Sequence, residues 1–194
     1  MVELNESVEL AEVSDDALMR RCVVGDNAAF RALVKRYERS VLATCRRLVP
    51  TSEVAAEDAA QDTFVQLWRQ RSNYTPKGEF RSYLFALCLN VCRHATRSAW
   101  RWRRRNQAFA DECSASTNAT AESEVALSEH RRLLLREVDR LPKKQREAVT
   151  LRFFGELTYE ELERSLGIAQ STLRSRVQHG VQRLAKSLNR SAGE

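Results

Sequence analysis

Apolar residues return every three or four positions along most of the chain, and they rarely alternate with polar ones. That period is the mark of amphipathic helices, whereas half-buried strands alternate. Phe30, Leu33, Val34, Tyr37, Val41, Cys45 and Leu48 make one stripe, and Ala56, Ala60, Phe64, Leu67 and Trp68 make a second. Near the C-terminus Leu173, Val177, Val181, Leu184 and Leu188 make another. The punctuation agrees with this reading. Ser14, Asp15 and Asp16 can cap a first helix to about Val24, Gly25 ends it, and Asp26 caps a helix running to about Val49. Pro50 and Thr51-Ser52 then break the chain before a third helix from about Glu53 to Arg71. Residues 72–80, SNYTPKGEF, read as a loop, and a long helix opens at Phe80. Thr158 and Glu161 have the spacing of a capping box, and Gly167 stops the helix they start. With six glycines and three prolines in 194 residues, breakers are few. The expected fold class is all-α, ending in a helix-turn-helix.

Charge adds organisation to this pattern. The net charge is +6, but its distribution matters more. Leu48 to Trp68 hold four acids and no Lys or Arg, and Phe80 to Ala110 hold seven arginines and no acid. Asn106 to Glu129 again hold only acids, five of them, while Ser165 to Gly193 hold five basic residues and no acid. Two basic blocks, each closing a helical unit, suggest two contacts with a polyanion. The acidic block between them is rich in Ser, Thr and Ala and has no apolar period, so it reads as a flexible linker. The expected division is a helical unit at 14–105, a linker at 106–129 and a second helical unit at 130–190. No stretch has the apolar length of a membrane span. The acidic opening MVELNESVELAEVSDD lacks the basic and apolar parts of a secretion signal, so a cytoplasmic protein without membrane insertion is expected.

Candidate chemistry lies on three helix faces. In the last helix the faces away from the apolar stripe carry Thr172, Arg174, Ser175, Arg176, Gln178, His179 and Arg183. A short turn followed by a polar, basic helix suits insertion into a DNA major groove; the alternative is an ordinary surface hairpin. The third helix presents Glu57, Asp58, Gln61, Asp62 and Gln66. These form either a solvated face with acids suited to the helix start or a docking surface for a basic protein. The long helix ends in arginines interleaved with Trp100 and Trp102, which can neutralise phosphates and stack on unpaired bases. Trp100 could equally close the core. Of Cys22, Cys45, Cys88, Cys92 and Cys113, an odd set in a cytosolic chain, Cys88 and Cys92 share a helix face. His94 points roughly opposite and no fourth ligand is evident, so the cysteines read as small buried apolar side chains, with Cys113 exposed in the linker. No metal and no cofactor is expected. Two readings that these features allow are a dimeric helix-turn-helix regulator and a redox or metal sensor.

Four segments in order carry a resemblance to a known family. DDALMRRCVVGDNAAFRALVKRYERSV, AAEDAAQDTFVQLWRQ, GEFRSYLFALCLNVCRHATR and LPKKQREAVTLRFFGELTYEELERSLGIAQSTLRSRVQ resemble, nearly end to end, an extracytoplasmic-function (ECF) sigma factor of bacterial RNA polymerase. The resemblance implies a non-catalytic subunit that binds core polymerase, at the β′ clamp helices and the β flap, and directs it to promoter DNA. It implies control by an anti-sigma factor, which would hold the protein at the inner membrane until release to the nucleoid. Asp58, Gln61, Asp62, Phe64 and Trp68 would engage the polymerase. Asn73, Tyr74, Lys77, Tyr83, Asn90, Arg93, Arg97, Trp100 and Arg101 would serve the minus-ten element. Ser171, Thr172, Arg174, Ser175, Arg176, Gln178 and His179 would serve the minus-thirty-five element, with Thr172 and Arg176 mostly on the backbone. The sequence departs from the family pattern at Ala169, where a capping residue is usual and Ser171 would substitute, and at Leu89 and His94 in the minus-ten helix. Gln178 and His179 stand where Arg or an aromatic is frequent, and Gly180 interrupts the recognition helix.

Overall fold

A computed structural model describes residues 10, 12–50, 52–106 and 125–191. Among them the regular structure is helical, as expected. The first unit holds α1 (Asp15–Val23), α2 (Asn27–Leu48), α3 (Glu53–Arg69), a 3-10 turn (Arg71–Asn73) and α4 (Phe80–Asn106). The second holds α5 (Val125–Arg140), α6 (Lys143–Phe153), α7 (Tyr159–Leu166) and α8 (Gln170–Ser191). Most of the expected linker, and Cys113 with it, lies outside the described residues, and so does the side chain of Trp102.

Two caps stand where the sequence puts them: Ser14 accepts from the Ala17 amide, and Asp26 from both Ala28 and Ala29. The Ala28 and Ala29 amides, with Arg21 Nε at 2.7 Å, hold the Asp26 carboxyl below its ordinary range, the Ala29 amide contributing most. Ser52, read only as part of a chain break, accepts from Ala55 and caps α3. Along α2 the buried positions are Ala29, Leu33, Tyr37, Val41, Cys45 and Leu48. The inward face of α3 is mostly small, with Ala56, Ala59, Ala60 and Thr63, and this lets α3 pack against both α2 and α4. From α4, Phe80, Leu84, Phe85, Cys88, Leu89 and Cys92 complete this core.

The second unit does not stand apart. Leu151, Leu157, Leu162 and Leu173 belong to the same apolar cluster as the first unit, while Val138, Leu141, Val149 and Leu184 form a smaller one. Helix α7 packs on α4, and α6 packs on α2. The turn after α6 comes so close to α4 that a Cβ on Gly155 would lie 3.0 Å from Phe85 Cε1 and 2.8 Å from the Leu151 carbonyl oxygen. Sandwiched this way, α6 buries five consecutive residues, Glu147 to Leu151. Polar groups close the seam. Arg81 Nη2 donates to the Gly155 carbonyl at 2.9 Å, Ser165 Oγ to the Ser82 carbonyl at 2.9 Å, and Arg47 Nη1 to Asp139 Oδ2 at 3.0 Å.

Two expectations about α8 change. The Leu173 amide donates to the Ala169 carbonyl and the helix opens at Gln170, so Ser171 sits inside the first turn and does not occupy the capping position. Val181 is 42% exposed, and Gly180 takes its place on the buried face between Val177 and Leu184. An inward series 173, 177, 180, 184 keeps to one helix face, whereas 181 drifts off it.

Candidate nucleic-acid interface

The helix-turn-helix is built by α7 and α8. The Thr158 amide donates to Glu161 Oε2 at 2.7 Å while the Glu161 amide donates to Thr158 Oγ1 at 3.2 Å, completing the capping box. Gly167 ends α7 in the left-handed region, φ 64° and ψ 33°, where a side chain is disfavoured. Ile168 and Ala169 complete the turn, and Gln170 Nε2 ties the start of α8 to Glu163 at 3.0 Å. Because Leu173, Val177, Gly180 and Leu184 face inward, the opposite side of α8 is presented to solvent. Ser171, Thr172, Arg174, Ser175, Gln178 and His179 are exposed, and Arg176 is half-buried. The Arg174 guanidinium lies 4.4 Å from the Tyr159 ring centre, a cation–π contact that orients it across the turn. Ser175 Oγ and His179 Nδ1 are 3.4 Å apart. Among the described residues Gln178 has no hydrogen-bond partner, so its amide is free to pair with a ligand.

The acid-and-amide set on α3 divides between two sides. Asp58, Gln61 and Asp62 are exposed. Asp58 and Asp62 line a groove of about 590 Å³ between α3 and α4, together with Gln66, Asn90, His94 and Ser98. Phe64 and Trp68 lie on another flank and are half-buried. The Trp68 ring packs 4.9 Å from Phe30, and the Arg71 guanidinium covers it at 4.3 Å. The structure therefore brings the two acids together with Asn90 and sets the aromatic pair against α2.

The residues expected at the minus-ten element are also dispersed. Asn73 and Lys77 are exposed in the loop, and Asn90, Arg97 and Arg101 are exposed along α4. Tyr74 is buried; its hydroxyl donates to Asp16, and its ring meets Phe80 edge-on at 5.9 Å. The Gly78 amide donates to the same carboxylate, so Asp16 pins both ends of the loop. Burial pushes the Tyr74 phenol well up, and the bond to Asp16 adds to this. Tyr83 is half-buried 5.1 Å from Tyr74, and its hydroxyl is buried without a partner among the described residues. Arg93 makes a two-pronged pair with Glu147 of α6, Nε to Oε1 at 2.9 Å and Nη2 to Oε2 at 2.8 Å. The Trp100 side chain lies outside the described residues.

Sequence reasoning missed Glu147 and Asp16. Asp16 was read only as a helix-start residue and Glu147 was not singled out, and their partners lie 58 and 54 residues along the chain. It also missed Cys45 as a companion of Cys88 and Cys92; the three sulfurs lie within 4.8 Å of one another, whereas His94 faces the α3–α4 groove.

Comparison with known proteins gives a consistent pattern. Residues 33–102 match the family model described as Sigma-70 region 2, and residues 131–184 match the model described as Sigma-70, region 4. The ECF RNA polymerase sigma-E factors of Salmonella typhimurium and Escherichia coli K12 are each 28% identical over 173 residues, covering 86% of this chain and 90% of theirs. Among solved structures, CnrH in complex with the cytosolic domain of CnrY superposes with a TM-score of 0.69 at 23% identity, covering 90% of this chain and 97% of that one. The sigma factor RpoE of Bartonella quintana, in complex with the anti-sigma factor NepR, superposes with a TM-score of 0.66 at 22% identity, covering 82% and 96%.

Proposed function

Because the chain belongs to the extracytoplasmic-function group of sigma-70 factors of RNA polymerase, we propose that it binds core polymerase and reads promoter DNA through the surfaces just described. It is a sigma factor, the subunit that gives polymerase its promoter specificity. In this reading residues 14–105 dock on the polymerase and open the minus-ten element, residues 106–129 link the units, and residues 130–190 read the minus-thirty-five element. The chain itself performs no chemistry, and core polymerase makes the RNA. One observation carries the proposal: α8 holds Ser171, Thr172, Arg174, Ser175, Gln178 and His179 on one exposed face of a capped helix-turn-helix. Such a helix enters the major groove with its N-terminal half.

The other surfaces take roles suited to their chemistry. Asp58 and Asp62 supply negative charge on the α3–α4 groove for the polymerase clamp, with Gln61 beside them. Phe64 and Trp68 shape the helix from its inner flank and offer their outer edges. Asn73, Lys77 and Asn90 are free to meet unpaired bases, while Arg97 and Arg101 neutralise phosphates. Tyr74 and Tyr83 set the loop that would hold a displaced base, and that contact would offset part of the unstacking cost of a few kcal/mol. Arg93 joins the phosphate contacts only after leaving Glu147. The relatives CnrH and RpoE were solved with CnrY and with an anti-sigma factor respectively. We extend this to an anti-sigma partner that keeps the two units closed on each other in the cytoplasm. No helix among the described residues is long and apolar enough to cross a membrane.

Run-off transcription with core polymerase tests the proposal. Promoter-specific transcripts should appear only when this protein is added. Promoter binding by the protein alone, with no transcript from core polymerase, would favour an independent helix-turn-helix regulator instead.

A further inference from the structure

The core of the first unit contains three converging thiols that promoter recognition does not use. Cys45 comes from α2, and Cys88 and Cys92 come from successive turns of α4. Their exposures are 0%, 0% and 1%. The Cys45 sulfur lies 3.6 Å from Cys88 Sγ and 3.6 Å from Cys92 Sγ, and all three fit within 4.8 Å of one another. Among the described residues no His, Asp or Glu joins them. Two hydroxyls in this unit are committed, Thr63 Oγ1 donating to the Ala59 carbonyl and Thr96 Oγ1 to the Cys92 carbonyl, both at 2.8 Å, whereas Thr44 Oγ1, next to Cys45 in the chain, is buried without a partner among the described residues.

We propose that Cys45, Cys88 and Cys92 form a binding site for a trivalent thiophilic ion of the arsenite class. Three arguments select this class over other soft metals. The first is ligand count. Zinc takes four donors in a closed site, and a fourth is absent among the described residues. The second is geometry. With thiolate bonds of about 2.3 Å, a flat trigonal ion holds its sulfurs about 4.0 Å apart, whereas a pyramidal one with angles near 100° holds them about 3.5 Å apart. The two separations of 3.6 Å from the Cys45 sulfur lie nearer the pyramidal value, and the third pair lies within 4.8 Å. The third is charge. A buried ion is costly unless neutralised. Three thiolates around Cu(I) or Zn(II) leave a net negative charge in an apolar core, whereas three around a trivalent ion leave none.

The loading step is a ligand exchange without oxidation. Arsenous acid, As(OH)3, meets three thiols; three As–O bonds break and three As–S bonds form. Each thiol proton leaves on a departing oxygen, so three waters are released and arsenic stays trivalent. The product joins α2 to two turns of α4, the helix that also carries Asn90, Arg93 and Arg97. Since the thiols are buried, entry follows local opening of the unit and is slow compared with reaction at a surface thiol.

The test uses the full chain, reduced and then incubated with sodium arsenite. Native mass spectrometry should show one arsenic bound with the loss of three hydrogens, and X-ray absorption at the arsenic edge should report three sulfur neighbours. The thermal midpoint should rise, because an ion that binds only the folded state stabilises it. Cys45→Ser, Cys88→Ser and Cys92→Ser should each abolish the three-sulfur species, while the double variant Cys22→Ser/Cys113→Ser should retain it. The absorption measurement on the wild-type chain needs no variant to fold, and two sulfurs with one oxygen would overturn the site. Parallel titrations with Zn(II) and with Cu(I) decide the class. Displacement of bound arsenic by either at equal concentration would overturn the choice of a trivalent ion.

Discussion

At the scale of single residues, Gly180 has a reason that helix propensity alone does not supply. A glycine inside a helix costs about 1 kcal/mol relative to alanine. Here, however, a Cβ would stand 2.6 Å from Val149 Cγ2, and Val149 is buried on α6. Valine is stiff at χ1 and cannot swing aside. Overpacking of this kind costs about 1–3 kcal/mol and outweighs the propensity gain. Gly180→Ala should therefore lose about 1 kcal/mol and lower the thermal midpoint by a few degrees; a higher midpoint would mean that α6 and α8 can separate freely. Asp26 gives a pH-dependent case. Its carboxyl is held low by the Ala29 and Ala28 amides and by Arg21, so its contribution is present above the unfolded carboxylate range and is lost as pH falls through the folded value. Asp26→Asn keeps a capping oxygen but cannot titrate. Its deficit in urea midpoint against wild type should shrink on acidification, and a deficit that grew would refute the assignment.

At the scale of elements, the exposed faces of α3 and α8 invite separate tests. Reversing charge with Asp58→Lys and Asp62→Lys should weaken capture of core polymerase while leaving the helical signal intact, because both side chains are exposed. Unchanged capture by a still-folded variant would remove α3 from the docking surface. On α8, Gln178 is exposed and unpaired, and glutamine pairs well with adenine in the major groove, as arginine does with guanine. Gln178→Ala should cost on the order of 1–3 kcal/mol and relax preference at one base pair, whereas loss of Arg176 should weaken all sequences and flatten the salt dependence. Selection from a randomised promoter library compares the two, and identical base preferences in wild type and Gln178→Ala would end the reader assignment. These faces were legible in the sequence because capping and periodicity are local: Ser14, Asp26, Thr158 with Glu161, and Gly167 each act within a few residues. The burial of α6 was not legible. KKQREAVTLRF carries no clear apolar stripe, and only its place between α8 and the first unit explains why Glu147 to Leu151 are all buried. The three thiols were half legible, since each sits on an apolar stripe but their convergence depends on how α2 packs on α4.

At the scale of the whole molecule, the arrangement seen here occupies part of the surface assigned to DNA. Arg93 cannot neutralise a phosphate while both of its prongs hold Glu147, and Glu147 itself is only 7% exposed. Opening the seam must also release Arg81 from the Gly155 carbonyl, Arg47 from Asp139 and α7 from α4, and must uncover Leu151, Leu157, Leu162 and Leu173, so the closed form is held by a shared apolar core as well as by polar contacts. A polymerase or a promoter can then shift the balance by binding the open form better, as any ligand with differential affinity does. The Arg93–Glu147 pair is the contact whose loss favours opening most directly. Breaking a fully buried pair costs about 3–5 kcal/mol. Arg93 keeps 34% of its side chain exposed and can return to water, so on the order of 1–2 kcal/mol is expected from Glu147→Gln. That glutamine keeps the volume of the site, which avoids a cavity. The variant should show a wider distance distribution between labels on α3 and α8, and it should bind a promoter fragment more tightly than wild type, with a steeper salt dependence from the freed Arg93. If the distances widened while DNA binding stayed the same, Arg93 would have no part in phosphate contact. If neither changed, the seam would be held by its apolar contacts alone.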